Sequence, residues 1–209
     1  SSAGNFGTSD FTVECWVMAT GAPQSNQVVW SCNAYPNSTG IILVYTGGSS
    51  NQIGVSYDSA SLITASGGWS FNQWHHIAVV RSSGTVTLYI DGVSRGSTTF
   101  TNNLTDGLQY IGRPSDTSNY AMQGYISNFR IVKGAAVYPS AFTPPTAPLT
   151  AISGTSLLTC QSGRFIDNSS NAYAITVNGD TKVQPFNPFY TATIASNGGS
   201  MYFDGSCLL

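Results

Sequence analysis

The chain has 209 residues, 41% of them apolar and 8% charged, with a formal net charge of -2. That size and apolar content suit one large all-β domain with a real core, and seven basic residues against nine acidic ones leave no surface able to neutralise many phosphates, so nucleic acid is excluded as a partner. No apolar run approaches the roughly 18 residues of a membrane-spanning helix and the first residues lack the basic start and apolar centre of a secretion signal, so no membrane insertion is expected.

Short alternating runs follow one another along the chain. "FTVECWV" at 11–17, "QVVWSC" at 27–32, "GIILVY" at 40–45, "QIGVSY" at 52–57, "WHHIAVVR" at 74–81 and "TVTLYIDG" at 85–92 combine period-two alternation with β-branched and aromatic residues. Gly, Ser and Asn clusters separate them, and no window shows a helical period. Ser83-Gly84 and Asp91-Gly92 are turn signals that bracket one strand, as in consecutive antiparallel hairpins. A further strand runs from about Gly124 to Val132. Pro139, Pro144, Pro145 and Pro148 then forbid regular pairing, so residues 136–155 form either a linker or a stiff strap across the first unit. Beyond it "TSLLTCQ", "AYAITVNG" and "SMYFDGSCLL" are three more strand candidates. They are too few to bury a core of their own, so residues 156–209 should complete the sandwich of residues 1–135. The expected fold is all-β, a two-sheet antiparallel β-sandwich spanning residues 1–209.

A surface built from Ser, Thr, Asn, Gln and Gly suits an extracellular or virion protein. The sequons at Asn37, Asn103 and Asn168 are read as chance in so polar a chain. Cys15, Cys32, Cys160 and Cys207 are far apart with no C-x-x-C, which argues against zinc. Cys15 and Cys160 sit in strand-like runs and read as small core hydrophobes, while a disulfide through Cys32 or Cys207 stays open.

"FGTSDFTVECWV", "WHHIAVVRSSGTVTLYIDG" and "GYISNFRIVKGAAVYPSAFTPPTAPL" together resemble successive strands of laminin G-like modules, concanavalin A-like jelly rolls found in phage and other virion structural proteins and bacterial surface proteins. The segments "SLLTCQSGRFIDNSSNAYAITVNG" and "GGSMYFDGSCLL" resemble the parts that open such a module, yet they stand after the parts they should precede. Three arrangements account for the shifted order: a permutant that folds on itself, one period of a tandem repeat, or donation of the C-terminal strand to a neighbouring copy. The main expectation is a non-catalytic subunit of an extracellular or virion filament, polymerising head to tail. Met201, Tyr202, Phe203, Leu208 and Leu209 would be the donated strand, and Phe11, Val13 and Cys15 its acceptor. The alternative is a monomeric lectin-like module that binds carbohydrate, with Trp69, set among turn residues in "SGGWSFNQW", as the exposed ring on which a sugar stacks.

The same sandwich hosts glycoside hydrolases, which place two carboxyl groups across the scissile bond. Glu14 is the one Glu, with no acidic residue two or four positions on, so hydrolysis is not expected. His75 and His76 adjoin on a strand and point to opposite faces, so they cannot both serve one site. No cofactor is expected beyond calcium, which the resemblance implies at a rim built from Asp91 or Asp204. The competing role for an Asp before Gly is to accept a backbone N–H within its own turn.

Overall fold

The computed structural model describes residues 3–20, 27–32, 42–47, 52–58, 60–105, 108–114, 120–189 and 200–204. The strands among them are β1 (Phe11–Ala19), β2 (Gln27–Cys32), β3 (Ile42–Gly47), β4 (Gln52–Tyr57), β5 (Ala60–Ser66), β6 (His75–Ser82), β7 (Thr85–Ile90), β8 (Val93–Thr99), β9 (Gln109–Ile111), β10 (Gln123–Lys133), β11 (Thr155–Thr159), β12 (Lys182–Gln184) and β13 (Ser200–Asp204). They form an eight-stranded sheet in the order β12-β13-β10-β1-β6-β7-β8, with β11 also on β10, and a five-stranded sheet in the order β5-β4-β3-β2-β9. The fold is a two-sheet antiparallel sandwich.

Alternation decides what each strand buries. On β1, Phe11, Val13, Cys15, Val17 and Ala19 enter the inter-sheet core, where they meet Ile77 and Val79 of β6, Leu88 and Ile90 of β7, Ile126, Phe129 and Ile131 of β10, and Trp30, Ile53 and Val55 of the smaller sheet. Burying one such side chain contributes roughly 1.5–3 kcal/mol. The two hairpin signals are realised as turns with consecutive positive φ, 48° and 78° at Ser83-Gly84 and 51° and 76° at Asp91-Gly92. That geometry matches the twist of the flanking strands.

The expected acceptor strand is overturned. β1 lies between β10 and β6, paired with β6 over Phe11–Val17 and with β10 on either side of a slip at Cys15, so Phe11, Val13 and Cys15 present core side chains and no open edge. The tail docks one strand further out. Met201, Tyr202 and Phe203 of β13 stand opposite Ile126, Tyr125 and Gly124 of β10, in the same chain. β10 has room for them because β11 occupies its outer edge at Phe129–Val132, leaving the other half free. Asn128 (φ 54°) lies where the β1–β10 register slips, and its amide donates to Cys160 O at 2.9 Å. Leu208, Leu209 and Cys207 lie outside the described residues.

"AYAITVNG" is a second correction. Residues 172–178 form no strand and are mostly exposed; the chain joins the sheet later, at β12. Cys15, Cys32 and Cys160 are buried, and burial pushes the Cys160 thiol up to about 12.

The proline-rich segment runs as a strap over the outer face of the large sheet. Thr12 Oγ1 donates to Ala135 O at 3.1 Å and accepts from the Val137 amide at 2.8 Å. Tyr138 and Phe142 stack at 3.7 Å and pack over Ala78, Val80 and Tyr89. The strap closes on the β7–β8 turn, where the Phe142 amide donates to Gly92 O at 3.0 Å. A Cβ at Gly92 would run into the Phe142 carbonyl oxygen, at a φ of 76° that side chains rarely adopt. Gly92→Val is therefore expected to cost at least about 1–3 kcal/mol from the backbone alone. It should also free the strap, visible as new protease cleavage within residues 136–150 together with a lowered Tm; unchanged cleavage would show that the strap is not anchored there.

Candidate functional site

Among the described residues, three clusters of polar or aromatic side chains are candidates for a site. The first is on the outer face beneath the strap. Glu14, 1% exposed, receives Arg130 Nε at 2.9 Å and Arg130 Nη2 at 2.6 Å on Oε1, and the Tyr138 hydroxyl at 2.8 Å on Oε2, with His76 Nε2 3.1 Å from the same oxygen. Arg130 Nη1 also donates to Thr150 O at 2.8 Å. Burial by itself would raise the Glu14 pKa, but the His76 hydrogen bond, the Arg130 and His76 charges and the Tyr138 hydrogen bond together hold it below the ordinary value. A carboxylate so enclosed and so stabilised as an anion is no general acid for a bound sugar; it is the electrostatic anchor of the strap.

The second cluster sets a hydroxyl, an imidazole and a carboxylate in line. Ser70 Oγ is 2.9 Å from His75 Nε2, and His75 Nδ1 is 2.6 Å from Asp91 Oδ2. The order matches a nucleophile, base and orienting acid, but the hydrogens do not. The Ser70 amide donates to His75 Nε2 at 3.2 Å, and the Ser70 hydroxyl donates to Gln73 Oε1 at 3.1 Å. The base is thus already occupied by the serine's own backbone, and the trio clamps the 67–73 turn onto β6.

Asp91, read from the resemblance as a calcium ligand, is committed to this clamp. Oδ2 faces the His75 ring and Oδ1 accepts the His76 amide at 2.8 Å. Burial would raise its pKa, but these two hydrogen bonds outweigh that and lower it. Asp204 stands in β13 as the register partner of Gln123, away from the β7–β8 turn sequence that holds Asp91. Among the described residues no group of three or more His, Cys, Asp or Glu side chains could hold a metal ion. His75 and His76 do diverge to opposite faces, one to Asp91 and one to Glu14.

Trp69 is not the exposed ring. It is 3% exposed and part of the inter-sheet core, 5.1 Å from the His75 ring and 6.5 Å from Phe71. Gly67 and Gly68, at φ 89° and 72°, reverse the chain just before it, and the His75 clamp just after it holds the indole inside.

Among the described residues the exposed ring is Phe186, which lies with two half-buried rings at the end of the outer face where the tail joins. Trp74 immediately precedes β6, Tyr125 lies on β10, and Phe186 follows β12. Their centroids are 5.2 Å (Tyr125–Phe186), 5.6 Å (Trp74–Phe186) and 6.2 Å (Trp74–Tyr125) apart, with interplanar angles of 69°, 35° and 54°. Phe186 is 42% exposed and the other two are half-buried. The rings are tilted to one another, which makes a shallow wedge of aromatic faces and edges. A second ring from the same segment, Phe189, packs edge-on against Trp16 at 5.8 Å. Asn187 braces the segment internally, donating from Nδ2 to Pro185 O at 3.0 Å and accepting the Phe189 amide on Oδ1 at 3.0 Å. The Trp74 indole N–H is buried without a hydrogen-bond partner. Sequence reading missed this cluster, although "QPFNPF" carried a signal. Prolines on both sides of Phe186 bar it from a ladder, so its ring cannot be a strand side chain facing the inter-sheet core.

A family model described as Laminin_G_3, concanavalin A-like lectin/glucanases superfamily, matches residues 1–137. None of the curated proteins matches the chain. Among solved structures, a Bacteroides ovatus protein provisionally classed as carbohydrate binding superposes with a TM-score of 0.57 at 16% identity, over 79% of this chain and 50% of its own. The CBM40 of a Ruminococcus gnavus sialidase, solved with α2,3-sialyllactose, gives a TM-score of 0.52 at 10% identity over 64% of this chain and 80% of its own. Domain 4 of a GH43 extracellular arabinanase from Geobacillus stearothermophilus, solved with arabinotriose, gives 0.50 at 20% identity over 65% of each chain. This chain therefore spans half the length of the Bacteroides protein. At these identities the likeness is one of fold. Among the described residues no helix is long and apolar enough to cross a membrane. With a family match over residues 1–137 and a jelly roll of the same architecture, the chain belongs to the concanavalin A-like lectin/glucanase superfamily.

Proposed function

We propose that this chain is a non-catalytic carbohydrate-binding module of a secreted or surface protein, and that it holds its saccharide on the Trp74–Tyr125–Phe186 wedge. The observation that carries this reading is the placement of three aromatic rings together at the surface, with Phe186 42% exposed. The C–H face of a sugar gains from an exposed ring by burying apolar surface. The saccharide-bound neighbours of the same fold support it. They also differ in ligand charge, sialyllactose being acidic and arabinotriose neutral, so the fold leaves the charge of the sugar open. Head-to-tail strand exchange, the main expectation from the sequence, loses its motive because β10 receives β13 from its own chain.

The test is a glycan array followed by titration of the retained saccharide into wild type, Phe186→Ala and Tyr125→Ala. Losing one stacked ring at about 1–1.5 kcal/mol weakens binding roughly five- to tenfold. Binding that both variants retain unchanged would move the site off this surface. Retention of no glycan by the folded protein would end the reading.

A further inference from the structure

We infer that Asn178 is a self-modifying residue: the turn it opens drives its deamidation through attack by the Gly179 amide nitrogen, with the Thr181 hydroxyl stabilising the attacking anion. The inference stands apart from the carbohydrate reading and uses none of its residues. Asn178 and Gly179 are both exposed, in the turn that leads from residues 172–178 into β12. Gly179 sits at a φ of 64° and has no Cβ to hinder approach to its nitrogen. Among the described residues neither the Gly179 amide nor the Asn178 carboxamide makes a hydrogen bond, so both reacting groups are unengaged. The turn is instead held by Thr181 Oγ1, which donates to Asn178 O at 3.1 Å. That oxygen belongs to the same peptide unit as the Gly179 nitrogen. When the Gly179 N–H is lost, the negative charge is shared between nitrogen and this oxygen by the resonance that keeps the unit planar. A donor already in place on the oxygen where charge develops favours the anion.

The reaction balances within the chain and one water. The Gly179 nitrogen forms a bond to Asn178 Cγ, the Cγ–Nδ2 bond breaks, and the amide proton leaves with the carboxamide nitrogen as ammonia. The product is a five-membered succinimide. Water then opens that ring at either carbonyl: addition at Cγ gives aspartate, and addition at the main-chain carbonyl gives isoaspartate, in which the chain runs through the side chain. Either product adds a negative charge beside Asp180, at the entrance to β12. Three other exposed asparagines lack the arrangement, because the amide that would attack is committed. After Asn103 the Leu104 amide donates to Gly7 O at 3.0 Å, and after Asn171 the Ala172 amide donates to Ser169 O at 3.3 Å. After Asn168 the Ser169 amide donates to Asp167 Oδ1 at 2.8 Å. A nitrogen so bonded must give up its acceptor before it can turn on the side chain.

The experiment incubates the folded full chain below its Tm at a series of mildly alkaline pH values and maps its peptides by mass and by enzymatic methylation of isoaspartate. The expected result is amide-to-acid conversion at Asn178, rising about tenfold per pH unit because the attacking species is the deprotonated amide. Asn103, Asn168 and Asn171 should convert at least about tenfold more slowly. Thr181→Val should slow conversion at Asn178 about three- to tenfold, the range of one hydrogen bond to a developing charge at an exposed site, and Thr181→Ser should restore it. In urea that unfolds the chain, wild type and Thr181→Val should convert within about twofold of each other, which separates the folded turn from the dipeptide alone. Equal rates for wild type and Thr181→Val in the folded state would overturn the inference. So would conversion at Asn178 no faster than at the three other asparagines.

Discussion

Replacing Glu14 by Ala is expected to lower stability by about 3–5 kcal/mol, the cost of leaving a buried charge without its partner. Arg130 would keep its hydrogen bond to Thr150 O at 2.8 Å, and Tyr138 and His76 would both face the vacated space. For a chain of this size that corresponds to roughly 10 °C in Tm, with the midpoint in urea shifted and the slope unchanged. Glu14 also gives the stability curve an acid limb of predictable sign. Its folded pKa lies below the ordinary value of 4.5, so its contribution is fully present above that value and is lost as pH falls through the lower folded one. Wild type should therefore lose stability below about pH 4 more steeply than Glu14→Ala does. Parallel acid limbs, or a midpoint within about 1 kcal/mol of wild type, would show that the strap is held by Tyr138, Phe142 and Thr12 alone.

Removal of residues 200–209 is the second large effect. It strips β10 of its partner over Gln123–Ile126 and leaves β12 with nothing to pair with, since β12 joins the sheet through β13. Each main-chain hydrogen bond lost is worth about 0.5–1.5 kcal/mol net, and the newly open edge invites association. Amide exchange should become fast at those amides of Gly124–Ile126 that face β13, while the alternate amides of β10 that face β1, and those of β6 and β7, paired to each other and to β1 and β8, keep their protection. Glycan binding should fall with it, because Phe186 follows directly on β12. A synthetic peptide of residues 200–209 added in trans should slow exchange at the β13-facing amides of β10 again. Exchange unaffected by the truncation would contradict the β10–β13 register.

The shifted order of the sequence was legible, and its consequence was not. "SMYFD" is indeed a strand of the sandwich, as its alternation predicts, but the similarity of the joined ends to a continuous module pointed to β1 as its neighbour. Pairing is decided by which edge is open, and β1 has β6 and β10 on its two sides. "AYAITVNG" likewise has the composition of a strand and pairs with none. The same limit explains the two misjudged rings. Trp69 stands among glycines and polar residues that usually mark a surface, yet positive φ at Gly67 and Gly68 and the His75 clamp turn it into the core. Phe186 stands in an unremarkable segment and is left at the surface by two prolines and a short strand.

Taken alone, the amino-acid sequence determined the class of fold, the inward positions of β1, β6, β7 and β10, the two hairpin turns, and the strap that cannot pair. These follow from neighbours in the chain: period-two alternation, the φ that a residue tolerates, and the amide that proline lacks. Only the tertiary structure decided that Trp74, Tyr125 and Phe186 meet at one surface and that Glu14 is sealed beneath the strap. Those are consequences of strand order and register, which bring distant residues into one row across a sheet, and no local pattern encodes them.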